Sequence, residues 1–154
     1  MSEIFTIVPA SARPLWFLAA IGALLLAMLL FFGYITYSSR ATRFEISEAG
    51  LAIRGTLYGR SVPWNNLRLG EARVADLGRD PALQLRSRTN GVGLPGYRAG
   101  WFGMRSGGRA LLFVTDPSRV AVLPTTEGFT LLLSVQDPDA FLRTLHARAA
   151  TPRI

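Results

Sequence analysis

The sequence predicts a mainly β domain with one terminal α-helix, set behind a single transmembrane helix. Three observations lead there. Leu15 to Tyr37 runs for twenty-three residues without a charge. From Phe44 onward, short apolar–polar alternations recur between turns rich in Gly and Pro. After Val135 the period changes, and Phe141, Leu142, Leu145 and Ala149 fall on one face at helical spacing.

The apolar stretch is the first element. About 20 apolar residues cross the hydrocarbon core of a bilayer as a helix, which satisfies every backbone polar group internally. Trp16 stands near one end and Tyr34 and Tyr37 near the other, where amphipathic rings favour the membrane interface. Pro14 suits a first helical turn, where its missing N–H costs little. A cleaved signal peptide is the rival reading. Its apolar region is about 7–15 residues long behind a basic start. Here the run is longer, and only Arg13 and Glu3 precede it, although Ser39-Arg40-Ala41 resembles a cleavage site. Arg40, Arg43 and Arg54 follow the span and Arg13 alone precedes it. The positive-inside rule then puts the C-terminal domain in the cytoplasm.

The strands come next. Phe44 to Glu48 alternates, Ala49-Gly50 turns, and Leu51 to Tyr58 resumes. Gly59-Arg60 turns the chain into Ser61 to Trp64, where Pro63 marks a strand end or an edge. Leu83 to Arg86 alternates again. Gly100 to Arg105, Ala110 to Thr115, Val120 to Leu123 and Phe129 to Val135 follow, each bounded by turn residues. ALLFV and TLLLSV are nearly continuous apolar runs, as in strands covered on both faces. The final helix has Asp137 as its N-cap, Pro138 at its first position and Asp139 in its first turn. Many short strands followed by one amphipathic helix make a small barrel or sandwich closed at one end.

Composition bounds the chemistry. The chain has 154 residues and a net charge of +7, and all its basic residues other than His146 are Arg. Without cysteine it has no disulfide framework, no thiolate zinc site and no cysteine nucleophile. The single histidine, His146, sits late on the terminal helix, where a cation suits the dipole. Asp137 and Asp139 flank a proline and read as capping residues. No catalytic residue, metal ligand or cofactor site is assigned, and an enzyme is not expected. Gly91 to Gly96 matches G-x-G-x-x-G, but a dinucleotide site needs a helix opening inside the motif. Pro95, Gly96 and Gly100 oppose one, so Thr89 to Arg98 is read as a flexible loop and a contact surface.

Phe44-Glu-Ile-Ser with Gly50-Leu-Ala-Ile, then Tyr58-Gly-Arg-Ser-Val-Pro-Trp64, form one set of signatures. Gly96-Tyr-Arg-Ala-Gly100, Gly108-Arg-Ala-Leu-Leu-Phe-Val-Thr115 and Leu132 to Leu142 form another. Together they resemble the bacterial pleckstrin-homology-like (PH-like) domains carried by small membrane proteins. The resemblance covers about residues 42–148. It implies two orthogonal antiparallel sheets in a partly open barrel, capped by the C-terminal helix. It implies no catalytic residue and no particular ligand. Phosphoinositide-binding relatives carry basic residues around the first hairpin loop. Here that loop is Ser47-Glu48-Ala49-Gly50, which is acidic, so inositol-phosphate recognition is not carried over.

The expected organisation is a tail at 1–12, a transmembrane helix at 13–38, a short linker at 39–43, the PH-like domain at 44–149 and a tail at 150–154. The expected function is binding or scaffolding at the cytoplasmic face of a bacterial inner membrane. A membrane-protein partner or self-association is the leading expectation. The alternative is a sensor of anionic lipid through an Arg-rich face, since an anionic leaflet attracts each nearby Arg by about 1 kcal/mol. Net charge alone does not make a nucleic-acid binder without a clustered basic stripe, and no small-molecule substrate is inferred. Arg86, Arg88, Tyr97, Arg98 and Trp101 are the candidate contacts, with Phe102 beside them.

Overall fold

The computed structural model describes residues 13–151. The expected tail at 1–12 and the last three residues lie outside them. The chain divides into two compact units, with the boundary between Arg40 and Ala41. Helix α1 covers Arg13–Ala41, and its segment Pro14–Ser38 is long and apolar enough to cross a membrane, with a mean hydropathy of 2.6. The helix continues through 39–41, in the stretch read as a linker. Thr42 alone therefore separates it from the first strand.

Strands β1 (Arg43–Ile46), β2 (Gly50–Arg54) and β3 (Ser61–Pro63) form an antiparallel sheet in that order. Phe44 pairs with Ile53 and Leu51 with Val62. Pro63 lies on an edge strand, where its missing N–H leaves no ladder bond broken. Leu57, read as a continuation of β2, is instead exposed in the turn that follows.

The second sheet holds β4 (Arg73–Ala75), β5 (Leu85–Leu94), β6 (Tyr97–Met104), β7 (Arg109–Val114), β8 (Val120–Pro124) and β9 (Phe129–Leu133). Their order is β4-β8-β9-β7-β6-β5. Two sheets and a closing helix were expected, and the sheets do not close into a barrel. The second sheet is mixed, not wholly antiparallel. β9 lies between β7 and β8, and it runs parallel to β7 with Leu111 opposite Leu131. A parallel pair needs a long connection, and here that connection contains β8.

Period 2 along β7, β8 and β9 divides their side chains between two cores. Leu111, Phe113, Leu123, Leu131 and Leu133 join Leu51 and Ile53 in the inner core, which also takes up Leu145. Leu112, Val114, Val122 and Leu132 join Leu77 and Leu83 in the outer core. The apolar runs ALLFV and TLLLSV are covered on both faces for this reason. Fully burying one such Leu contributes about 1.5–3 kcal/mol.

Helix α2 covers Pro138–Ala150. The Ala140 amide donates to Asp137 Oδ1 at 2.9 Å, which confirms the N-cap. Leu145 is fully buried, while Phe141 and Leu142 are half-buried against the inner core. Ala149 is exposed, so the apolar stripe ends one turn earlier than its spacing suggested.

Candidate functional site: an arginine groove on the β5–β6 hairpin

The Gly-rich segment read as a flexible loop is a hairpin. β5 extends to Leu94, Pro95-Gly96 makes the turn with Gly96 at φ +77°, and β6 starts at Tyr97. The glycines serve close strand approach. Gly91 stands opposite Gly100. A Cβ on Gly91 would lie 2.5 Å from the Ala99 carbonyl oxygen. One on Gly100 would lie 2.6 Å from that of Asn90 and 3.2 Å from the Tyr58 ring. Tyr58 folds over this spot, and its hydroxyl donates to Asn90 Oδ1 at 3.4 Å. β5 is an edge strand, and its register with β6 shifts between Leu85 and Ser87 and between Arg88 and Asn90.

Alternation along β6 separates the candidate contacts. Tyr97 and Trp101 turn toward the inner core together with Ala99. Arg98 and Phe102 belong to the opposite face. The proposed patch of Tyr97, Arg98, Trp101 and Phe102 is therefore not one surface, because side chains one residue apart on a strand point to opposite faces. Trp101 is half-buried and edge-on to Phe129, with ring centroids 5.2 Å apart. The Arg109 guanidinium stands 5.4 Å from its centroid, and the Arg60 guanidinium lies 5.1 Å from that of Phe129. Arg60 also pairs with Glu127 at 2.7 Å, and the Asn66 amide donates to the same carboxylate at 2.6 Å. Trp101 thus works as a packing residue at the margin of the core.

On the outer face, Arg86, Arg88 and Arg98 come together, joined by Arg105. They line an open groove of about 480 Å³ with Leu77, Leu85 and Phe102. No carboxylate lines it. Between Asp80 and Asp116 the sequence holds five arginines and no acidic residue. Six other arginines sit within ion-pair distance of acids: Arg54 with Glu45, Arg60 with Glu127, Arg68 with Glu71, Arg73 with Asp80, Arg79 with Asp76 and Arg119 with Asp139. The four groove arginines have no such partner among the described residues. Spread along the sequence, the arginines look dispersed. The fold pairs off many and concentrates four that are unpaired.

Arg105 was not among the sequence candidates. Its place follows from the β5–β6 register: Leu85 pairs with Met104, and one residue beyond, the Arg105 amide donates to the Gln84 carbonyl at 2.8 Å. That pairing becomes legible only once the Gly-rich segment is known to be a hairpin. The split of Tyr97 and Trp101 from Arg98, by contrast, follows from strand period once β6 is known to be a strand.

The first hairpin turn offers no comparable site. Ser47 and Gly50 exchange backbone hydrogen bonds across it. The Trp64 indole N–H donates to the carbonyls of Ser47 and Glu48 at 3.2 and 3.0 Å. The turn is pinned from beneath, and its side-chain charge is that of Glu48.

Two sheets, a closing C-terminal helix and a leading apolar helix define a PH-like architecture. The bacterial PH domain family matches residues 42–149, and the chain belongs to that family. Searches among curated proteins and among solved structures found no match.

Proposed function

We propose that this chain is a single-pass membrane protein whose PH-like domain is a non-catalytic binding module facing the cytoplasm. Its binding site is the β5–β6 groove, and its ligand carries several negative charges. One observation supports this reading. Arg86, Arg88, Arg98 and Arg105 converge on a groove that no carboxylate lines, while six other arginines are paired with acids. Guanidinium groups bind phosphate and carboxylate oxygens in bidentate pairs.

The test titrates the full chain in a neutral detergent with tripolyphosphate. Tight, salt-sensitive binding is expected. The double change Arg86→Glu with Arg88→Glu should weaken it at least tenfold, at an unchanged melting temperature. No binding, or equal binding by the variant, rejects the groove.

A protein partner is a second reading, favoured by the open side of β5. An extended segment adding to that edge would lay alternate side chains beside the arginines. The segment would then be acidic. Self-association through β5 would set Arg86 and Arg88 against their copies, and like charges across strands are destabilising. The cytoplasmic orientation rests on Arg40, Arg43 and Arg54. A C-terminal reporter active only outside the cytoplasm should stay silent, and its activity would reverse the topology.

A further inference from the structure

We infer that the groove continues past Arg98 into a second subsite, the cleft beside the β5–β6 turn. The two together take an extended acidic peptide, whose carboxylates meet the arginines and whose apolar side chain enters the cleft. This rests on the groove reading and deepens it, by naming the class of ligand and adding a contact that a bare anion does not make.

Two depressions meet at Arg98. The cleft measures about 460 Å³, takes its apolar lining from Leu94, Pro95, Val114 and Pro117, and has no carboxylate on its walls. Arg98 borders both the cleft and the groove. Their other walls are joined as well, because the amide of Leu77, on the groove, donates to the carbonyl of Pro117, on the cleft, at 2.8 Å. A cationic trough thus runs into an apolar one. Its complement is a ligand that is anionic along its length and apolar at one end.

Spacing selects a peptide. Arg86 and Arg88 lie two positions apart on β5, and Arg88 stands opposite Phe102. Arg98 lies four positions from Phe102 along β6, so roughly 13 Å separates its rung from that of Arg88 at about 3.3 Å per residue. An extended chain sets alternate side chains about 7 Å apart, so acidic residues at every second position match both steps. A compact anion held by Arg86 and Arg88 does not reach the cleft.

Gly93 is the independent observation. Gly91, Gly96 and Gly100 answer demands of the backbone: Gly96 has a positive φ, and a Cβ on Gly91 or Gly100 would collide with the facing strand. Gly93 answers none. Its φ is not positive, and a Cβ there would meet nothing nearer than the Phe102 ring at 3.9 Å. Glycine weakens a strand interior, and one use of it there is the close approach of a ligand or another backbone. Gly93 is exposed, lines the cleft and stands opposite Arg98. It leaves the surface bare where the peptide passes from the groove into the cleft. β5 is also an edge, with backbone donors and acceptors open to an added strand.

The full chain in phosphatidylcholine nanodiscs is titrated with capped peptides that carry glutamate at every second position and one leucine at an end, made in both chain directions. The same peptides with alanine in place of leucine are the comparison. In one direction the leucine peptide should bind about tenfold more tightly than its alanine counterpart. That comparison uses the unaltered chain and depends on no variant. Gly93→Leu, which fills the cleft from within, should abolish the advantage while tripolyphosphate binding persists and the melting temperature does not fall. Arg98→Gln should weaken the leucine peptide about tenfold. Equal affinity of the leucine and alanine peptides in both directions overturns the inference, and so does an advantage that survives Gly93→Leu in a folded chain. If tripolyphosphate still binds through Arg86 and Arg88 while the peptides fail, the groove reading stands and its ligand is a compact anion. If neither tripolyphosphate nor any peptide binds, both readings fall.

Discussion

The two faces of the six-stranded sheet use the same residue types in opposite ways. On the inner face, arginines are held in place. Arg60 and Arg109 lie over Trp101 and Phe129, and Arg60 is paired with Glu127. On the outer face, Arg86, Arg88, Arg98 and Arg105 border an apolar floor and have no acid to meet among the described residues. Cation–π contacts and buried aromatic edges stabilise the first face. The second accumulates like charge, which costs stability unless something anionic relieves it. The proposed binding reading rests on this difference between the two faces.

The contrast is tested most severely in the inner core. Leu145 is fully buried, so Leu145→Ala should cost about 2–5 kcal/mol, read from denaturant unfolding of the full chain in detergent. Phe141→Ala should cost less than the 3–5 kcal/mol of a fully buried ring, because Phe141 is half-buried. An effect of Phe141→Ala larger than that of Leu145→Ala would show that the helix packs differently. Next comes Trp101→Ala, at about 2–3 kcal/mol for a half-buried ring that holds Phe129 and two guanidiniums. If that variant keeps its stability but loses a ligand, Trp101 is a contact and not a packing residue.

On the outer face the expected signs reverse. Arg88→Glu should leave the melting temperature unchanged or raise it, because it relieves repulsion, while it weakens tripolyphosphate binding. A marked loss of stability would mean that Arg88 has a structural partner. The smallest effect concerns Asp80, where a hydrogen bond from Arg73 holds the carboxyl below its ordinary range. Its folded pKa is depressed, so its contribution is present above the unfolded value and fades as pH falls toward the folded one. Asp80→Asn should therefore flatten slightly the loss of stability as pH falls below the ordinary carboxylate range. An unaltered acid limb would show that the pair contributes nothing.

Much of the domain was legible in the sequence, because each feature was local. Asp137-Pro138 announced the terminal helix through the geometry of one turn. Pro63 announced an edge through a missing donor. ALLFV announced a strand covered twice. The hairpin was hidden because glycine has two meanings. Gly91 and Gly100 face each other across a rung, which no window of neighbouring residues reveals. The parallel placement of β9 was hidden for the same reason, since it depends on which strands meet after the chain has doubled back. Of the candidate contacts, Arg86, Arg88 and Arg98 line one groove. Arg105 needed the β5–β6 register, in which Leu85 meets Met104. Tyr97 and Trp101 were grouped with them only while that segment was taken for a loop, in which alternation has no force.

The position of β9 has one more consequence, which concerns the order of events during synthesis. The last strand of the chain is an interior strand of its sheet, flanked by β7 and β8. Until Phe129–Leu133 is available, β4 with β8 and β5 with β6 and β7 are two separate fragments with no ladder between them. No shorter product of translation possesses the six-stranded sheet, and neither core can close before Phe129–Leu133 have left the ribosome. Leu131, Leu132 and Leu133 therefore act as a lock inserted last. Such non-local closure slows folding. A chain truncated before Phe129 therefore lacks the strand that joins the two halves of the sheet.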